Sequence, residues 1–175
     1  MLIVKEFYNL LTEKGVKNFC GVPDSLLKDF CGFLLDHVSE QNFTINANEG
    51  NSIAYAAGVY LSTESISLVF MQNSGIGNAV NPLTSLVDKE IYSIPVLLLI
   101  GWRGEPGTKD AIQHKKDGKI TLKLLETLGI PYDILPDSLE ETKPVLDRAF
   151  KYMNNEKAPF ALVVKKGTFE KYETK

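Results

Sequence analysis

The sequence predicts an α/β fold, a three-layer α/β/α sandwich built around a mostly parallel sheet of six strands. Segments with apolar residues at helical spacing alternate almost throughout with short apolar runs. Each run is bounded by Gly, Pro, Asn or Asp, which is typical of strands buried on both faces of a parallel sheet. The length of 175 residues fits one domain of this class.

Six helices and six strands follow from these patterns. The first three helices have apolar side chains three or four residues apart within residues 3–11, 26–34 and 53–61. Three further helices are predicted after Ser74, from 119 to 128 and from 139 to 152. The predicted strands cover residues 19–22, 43–45, 66–71, 96–100, 132–135 and 160–164.

Composition excludes several functional classes. Nineteen Lys and Arg against 22 Asp and Glu give a formal net charge of −3, so the sequence has no basic excess for nucleic acid or an anionic membrane surface. No apolar run reaches the roughly 20 residues that a bilayer requires. We therefore expect a cytoplasmic protein with no nucleic-acid or membrane partner. Cys20 and Cys31 are too few for a disulfide framework or a zinc site, and we expect two reduced, mostly buried thiols.

Four loops follow predicted strands, where a parallel sheet binds its ligands. They cover residues 21–25, 46–50, 72–78 and 101–107, and all four are rich in Gly and small polar residues. The fourth loop opens a longer stretch, residues 103–118, that shows no apolar periodicity. A loop of that length indicates either function or disorder.

Two of these loops carry carboxylates with alternative interpretations. Asp24 and Ser25 precede a predicted helix, so a helix N-cap is one explanation for them. Glu49 opens a helix whose next turns are small and apolar, and it could simply interact with the helix dipole. Close packing of that helix could instead leave the carboxylate in a dry crevice, where it would share or donate a proton near neutral pH.

The loop at 72–78 places three amide side chains and two glycines after a strand. The glycines permit close backbone approach to a ligand, and they equally suit a tight strand-to-helix turn. The loop lacks the Lys-Ser/Thr ending of a Walker loop and a third Gly for a dinucleotide fold. His114 and Arg103 lie in the polar stretch that follows, near several lysines, and this group could meet an anionic substrate or be solvated.

Together the four loops resemble the pyrimidine-binding domain of thiamine-diphosphate-dependent decarboxylases, over nearly the whole chain. The motifs that carry the resemblance are Gly-Val-Pro-Asp-Ser at 21–25, Asn-Glu-Gly-Asn-Ser-Ile-Ala-Tyr-Ala-Ala-Gly at 48–58, Gln-Asn-Ser-Gly-Ile-Gly-Asn-Ala-Val-Asn-Pro-Leu at 72–83, and Gly-Trp-Arg-Gly-Glu-Pro-Gly-Thr-Lys-Asp at 101–110. The last motif runs on to Gln113 and His114. Within this family it is most similar to the enzymes that act on phosphonopyruvate, and those that act on sulfopyruvate are similar in the same places.

The resemblance implies roles for individual residues. Glu49 would be catalytic and would hydrogen-bond the ring nitrogen of the aminopyrimidine of thiamine diphosphate. Asp24 and His114 match positions where related decarboxylases handle protons near the substrate. Arg103 is a candidate for the anionic end of the substrate because its planar fork suits oxyanions, with Asp24 and Ser25 beside it. The pyrimidine pocket would be lined by Glu49, Gln72, Asn73, Ser74, Gly75, Gly77 and Asn78.

The implied reaction is decarboxylation of 3-phosphonopyruvate to phosphonoacetaldehyde and carbon dioxide. The alternative within the family is the alpha subunit of a sulfopyruvate decarboxylase, and the sequence does not choose between phosphonate and sulfonate. An alternative of another class is a flavodoxin-like nucleotide- or metabolite-binding module that holds an anion at the 72–78 turn. The absence of a complete phosphate-binding loop from the sequence disfavours that module.

One departure from the family matters. The second half of these enzymes carries a Gly-Asp-Gly motif and a downstream Asn that bind magnesium and the diphosphate, and the sequence contains neither. We therefore expect residues 1–168 to form a pyrimidine-binding domain, and residues 169–175 to begin an interdomain linker or a C-terminal tail. No metal ligand is assigned here, and Mg²⁺ is expected on a diphosphate-binding domain or subunit. The resemblance thus implies a homo- or hetero-oligomer, with the partner half on a separate subunit or on a longer chain.

Overall fold

A computed structural model describes residues 1–174 and shows the predicted sheet. Its six strands are all parallel and lie in the order β2-β1-β3-β4-β6-β5. The predicted α/β class is therefore confirmed, and each predicted strand is present within two residues of its expected ends. The strands are β1 Phe19–Gly21, β2 Phe43–Ile45, β3 Leu68–Gln72, β4 Leu97–Gly101, β5 Tyr132–Ile134 and β6 Phe160–Val164.

Six helices cover the two faces of the sheet. They are α1 Val4–Glu13, α2 Lys28–His37, α3 Glu49–Thr63, α4 Ile76–Ser85, α5 Lys115–Thr127 and α6 Leu139–Glu156. Short 3₁₀ turns at Asn73–Gly75 and Ile112–His114 lead directly into α4 and α5. None of the helices in residues 1–174 has the length and apolar character needed to cross a membrane.

Two hydrophobic clusters form the core, one between the sheet and the helices on each of its faces. Alternate side chains of a strand point to opposite faces, so Leu68 and Phe70 of β3 join α1, α2 and α6 in one cluster. Val69 and Met71 of the same strand join α3, α4 and α5 in the other cluster. Strands β4 and β6 are buried along their whole length, which explains their unbroken apolar sequence.

Helix α5 begins four residues earlier than its apolar periodicity predicts. The extra turn contains Gly118, whose Cα lies so close to the carbonyl of Gly104 that a Cβ would overlap it. The hydroxyl of Thr121 donates to the carbonyl oxygen of Asp117 at 2.6 Å. The close approach of Gly118 to Gly104 and the bond from Thr121 stabilise a polar helical turn, which the spacing of apolar residues could not predict.

The two cysteines are free thiols and both are buried, as predicted. Burial raises the pKa of Cys20 and of Cys31 to about 12, and the charge of Asp24 adds to the shift at Cys31. Both groups therefore remain protonated and weakly nucleophilic at neutral pH.

The residues just beyond the predicted boundary at 168 pack against the domain. Phe169 is 6% exposed, and its ring stacks on Phe30 with centroids 5.7 Å apart. Farther on, the backbone N–H of Tyr172 donates to Oδ1 of Asp29, and its hydroxyl donates to Oδ2 of Asp36, both at 3.0 Å. The predicted boundary stays a prediction, but residues 169–174 are ordered on the surface formed by α1 and α2. Lys175 lies outside the described residues.

Replacing Phe169 with alanine is expected to lower the free energy of unfolding by about 3–5 kcal/mol, because a buried ring is removed from an aromatic cluster with Phe7 and Phe30. Urea unfolding followed by circular dichroism measures the change. Lys171→Ala is the matched control in the same segment, because Lys171 is exposed and its ion pair is with Glu173, which is also exposed. Equal stability of F169A and K171A would show that the segment after residue 168 is not part of the domain.

Candidate functional site

The parallel sheet brings the four predicted loops to one edge, at the carboxyl ends of β1 to β4. Two groups of side chains form there. One group is built around Glu49, at the start of α3, and the other around Asp24, between β1 and α2. On the same edge, the side chain of Asn73 hydrogen-bonds the backbone of Arg103 and so joins the loop at 72–78 to the loop at 101–107.

Glu49 is the first residue of α3 and its side chain is buried, with 9% of the residue exposed. The preceding Asn48 is the N-cap and accepts from the backbone N–H of Gly50 at 2.8 Å. Oε2 of Glu49 accepts a hydrogen bond from Nδ2 of Asn78 at 2.8 Å. Oε1 accepts no hydrogen bond from residues 1–174. The carboxylate is therefore held through one oxygen and keeps the other available for a ligand.

Glycine makes this position possible. A Cβ on Gly75 would overlap the carboxyl group of Glu49, so only glycine lets the side chain lie against that turn. A Cβ on Gly50 would come within 2.8 Å of the carbonyl oxygen of Asn78, which shows how closely α3 approaches the 73–78 turn. Gly77, by contrast, has no atom within 4 Å of its Cβ direction. The turn is thus tight on the side of Glu49 and open beside Gly77.

The remaining polar residues of this turn differ in their surroundings. Gln72 donates through Nε2 to the hydroxyl of Ser74 at 2.6 Å, near the surface. Asn73 is 3% exposed, and its two amide hydrogens go to the carbonyl of Arg103 at 2.9 Å and to Oγ1 of Thr121 at 2.8 Å. Its Oδ1 accepts from the N–H of Arg103 at 3.2 Å. The side chain of Asn73 therefore holds the 72–78 loop, the 101–107 loop and α5 together. Its contact with the cofactor stays a prediction.

Asp24 is buried, with 7% of the residue exposed. Its Oδ2 accepts from the N–H of Leu26 at 2.9 Å, and its Oδ1 is buried with no hydrogen-bond partner among the described residues. Burial raises the pKa of Asp24, while backbone hydrogen bonds and the positive charges of Arg103 and His114 act in the opposite direction. Helix α2 begins only at Lys28, so Asp24 closes the preceding turn and is not the N-cap.

Arg103 is held by an acidic residue of its own loop. Its Nε and Nη2 donate to the two carboxylate oxygens of Asp110 at 2.8 and 2.6 Å, and its Nη1 donates to Oγ of Ser25 at 2.5 Å. Asp110 also accepts from the backbone N–H groups of Gly104 and Ala111. The hydrogen bonds from Arg103 hold the pKa of Asp110 well below its usual range. The sequence motif at 101–110 ends with Asp110, but no role was predicted for it, because no periodicity relates two residues paired inside an irregular loop.

His114 ends a 3₁₀ turn and occupies the N-cap position of α5, where it is partly exposed. Its carbonyl packs against Gly104, which has φ +68° and leaves no room for a Cβ. The indole of Trp102 donates to the carbonyl of Gly118 at 2.8 Å. The stretch 103–118 is therefore folded back on itself and ordered, and it brings His114 within electrostatic range of Asp24.

The part of the chain that the structure describes contains no group of three or more His, Cys, Asp or Glu side chains able to hold a metal ion. The two carboxylates that the site does offer are separate from each other and differently held. Glu49 presents one available oxygen beside an open glycine turn, which fits a hydrogen bond to a flat, nitrogen-containing ring. Asp24 presents a buried oxygen that no described residue hydrogen-bonds, which fits a group that takes up or releases a proton.

Comparison with protein families matches residues 2–122 to the model described as "Thiamine pyrophosphate enzyme, N-terminal TPP binding domain". A phosphonopyruvate decarboxylase of Streptomyces viridochromogenes is 32% identical over 157 residues, which is 90% of this chain and 38% of that protein. The sulfopyruvate decarboxylase subunit alpha of Methanococcus maripaludis is 33% identical over 90% of this chain and 90% of that subunit. The chain thus spans well under half of the first relative and nearly all of the second.

Solved structures agree on the fold. The benzoylformate decarboxylase of Polynucleobacter necessarius superimposes with a TM-score of 0.69, covering 100% of this chain and 32% of that one, at 21% identity. At this identity the likeness supports the fold alone.

Proposed function

This chain belongs to the family of thiamine pyrophosphate enzyme N-terminal TPP binding domains, and from that premise we propose that it is the pyrimidine-binding half of a thiamine-diphosphate-dependent 2-oxoacid decarboxylase. The observation that carries the proposal is the buried carboxylate of Glu49, anchored through Oε2 and available through Oε1. Membership of this family favours the enzyme over a flavodoxin-like binding module.

The proposed substrate is a three-carbon 2-oxoacid with a second anionic group. 3-Phosphonopyruvate, converted to phosphonoacetaldehyde and carbon dioxide, is the first candidate because a phosphonopyruvate decarboxylase is among the relatives. Sulfopyruvate is the second candidate, favoured by the 90% coverage of a sulfopyruvate decarboxylase alpha subunit. Both candidates are anionic 2-oxoacids that would use the same site. Their decarboxylations differ only in the tetrahedral group of the substrate, a phosphonate or a sulfonate.

In this proposal Glu49 binds and orients the aminopyrimidine. Its Oε1 holds the ring nitrogen, while Asn78 keeps Oε2 in place and Gly75 lets the carboxyl group lie against the turn. Thiamine diphosphate, when bound, supplies an electron sink for the pair released from the breaking carbon–carbon bond. Gln72, Ser74 and Gly77 remain proposed neighbours of the ring.

Asp24 and His114 are proposed to bind and transfer protons during the reaction. After carbon dioxide has left, the carbon that carried the carboxylate must take up a proton in its place. The buried Oδ1 of Asp24 has no hydrogen-bond partner among residues 1–174, and burial raises the pKa of this carboxyl, so Asp24 can hold the proton that is transferred. His114 and Arg103 add positive charge that limits the shift.

The diphosphate and Mg²⁺ are proposed to bind on a partner, because residues 1–174 offer no metal-ligand cluster. The partner is either a separate diphosphate-binding subunit or a further domain. Since one half of the site would come from each, the proposed active form is a homo- or hetero-oligomer that brings the two kinds of domain together.

Reconstitution tests this proposal. The chain alone, with thiamine diphosphate, Mg²⁺ and either 3-phosphonopyruvate or sulfopyruvate, is expected to release no carbon dioxide above background. Adding a separately expressed diphosphate-binding subunit of a sulfopyruvate decarboxylase, or the second half of a phosphonopyruvate decarboxylase, is expected to start turnover. The partner alone is the control. Decarboxylation by this chain without a partner would contradict the division of the site.

A further inference from the structure

A cavity of about 290 Å³ lies at the carboxyl edge of the sheet, next to Arg103 and Ser25. Three lysines from separate segments line it. Lys28 is the first residue of α2, Lys109 belongs to the stretch 103–118, and Lys166 follows β6. These segments are far apart in sequence, so the fold gathers three lysines around one space.

The acidic residues of the cavity do not neutralise these lysines. Asp110 is bound on both oxygens by Arg103, with Oδ1 2.6 Å from Nη2. Glu105 pairs with Lys165, Oε1 to Nζ at 2.7 Å, and Lys165 itself lies over the ring of Trp102. Within residues 1–174, the side chains of Lys28, Lys109 and Lys166 form no ion pair or hydrogen bond. The cavity therefore carries an uncompensated positive charge.

The walls of the cavity are fixed before any ligand binds. Trp102 is 9% exposed and its indole is tied to Gly118. Arg103 is clamped by Asp110 and reaches Ser25 through Nη1. A rigid wall with flexible lysines at its rim suits a small, compact anion, because the lysines can close on it without rearrangement of the backbone.

The cavity adjoins the position of Asp24. Ser25 follows Asp24 directly and lines this cavity, and both Ser25 and Lys28 also line a neighbouring apolar cavity of about 410 Å³ that includes Asp24. A substrate whose reacting carbon lies near Asp24 would therefore place a group two bonds away within reach of the lysines.

We propose that this cavity is the subsite for the tetrahedral oxyanion of the substrate, a phosphonate or sulfonate held by Lys28, Lys109 and Lys166. The assignment rests on the proposed function and deepens it, because it names the group that the enzyme distinguishes. Arg103 shapes the wall and contributes Nη1, while its other donors stay on Asp110. A phosphonate that carries two charges gains more from three ammonium groups than a singly charged sulfonate.

The first test uses the chain by itself and needs no catalysis. Methylphosphonate and methanesulfonate are titrated into protein with isotopically labelled lysines, and the side-chain resonances are followed by NMR. Saturable shifts are expected at Lys28, Lys109 and Lys166, larger at equal concentration for methylphosphonate. The indole proton of Trp102, which lines the same cavity, should shift with them in the unsubstituted chain and stay unchanged in the triple variant K28M/K109M/K166M. The matched control is K89M/K143M/K151M, which removes three exposed lysines elsewhere. Equal shifts in both triple variants, or no saturation, would overturn the subsite.

The second test uses the reconstituted enzyme. Each single variant, K28M, K109M and K166M, is expected to raise KM for 3-phosphonopyruvate or sulfopyruvate by about 10-fold to 100-fold, as for loss of a charged hydrogen bond. The value of kcat/KM for 2-oxobutanoate, which has a methyl group in place of the oxyanion, should stay within twofold. Equal losses on both kinds of substrate would overturn the subsite. Absence of turnover with every 2-oxoacid would contradict the proposed function instead, and the probe titration would then decide the subsite by itself.

Discussion

Replacing Glu49 with glutamine is expected to lower turnover of the reconstituted enzyme by about 10²-fold to 10⁴-fold, the usual contribution of one acid–base group. Glutamine has nearly the same size, so the packing against Gly75 is kept. It cannot exchange a proton with the ring nitrogen of the aminopyrimidine, which is the role proposed for Oε1. The initial rate of carbon dioxide release, measured at saturating cofactor, gives the effect.

A second acidic residue, the C-cap of the same helix, provides the control. Glu64 is exposed at the C-terminal end of α3, so E64Q carries the same chemical change away from the site. Thermal unfolding of both variants should match the unsubstituted chain within a few degrees. If E49Q keeps the rate of E64Q, the role proposed for Glu49 is wrong.

Replacing Asp24 with asparagine is expected to have two opposite effects. Turnover should fall by about 10²-fold to 10⁴-fold, because the amide can neither hold nor release the transferred proton. Stability at neutral pH should rise by about 1 kcal/mol, because a neutral amide is less costly to bury than a carboxylate with one oxygen that finds no hydrogen-bond partner within residues 1–174. A residue kept only for the fold would not show this combination.

The effect on stability has a defined pH dependence. Burial raises the pKa of Asp24 in the folded state, so its favourable contribution is complete below the unfolded value of about 3.9 and is lost as the pH rises through the folded value. The advantage of D24N should therefore be absent near pH 3 and grow as the pH rises toward neutrality. Urea unfolding at a series of pH values measures it. A constant difference between D24N and the unsubstituted chain would mean that Asp24 is not destabilised by burial.

Much of the fold was accessible from sequence because it depends on local patterns. The unbroken apolar runs of β4 and β6 follow from burial on both faces, and the spacing in α1 to α3 follows from one packed face each. Helix α5 shows the limit of this reasoning. Its first turn is polar and is stabilised by the contact of Gly118 with Gly104, and the spacing of apolar residues does not predict such a turn.

The site was accessible in outline and less so in detail. Loop composition indicated where Glu49 and Asp24 would lie. It did not indicate that Asn78 anchors Glu49, or that Oδ1 of Asp24 has no hydrogen-bond partner in the described part of the chain. The bonds of Asn73 to residues 30 and 48 positions away, and the Arg103–Asp110 pair, arise only when the chain folds. Contacts of this kind depend on where whole elements meet, so they leave no periodic signal in the sequence.

The central claim is that Glu49 of this chain meets the pyrimidine ring of thiamine diphosphate. A crystal structure of the reconstituted assembly with the cofactor bound tests it most directly. The account predicts that Oε1 of Glu49 lies within about 3.2 Å of the ring nitrogen, with Oε2 still bound by Asn78. A pyrimidine whose ring nitrogens contact no carboxyl group of this chain would contradict the account.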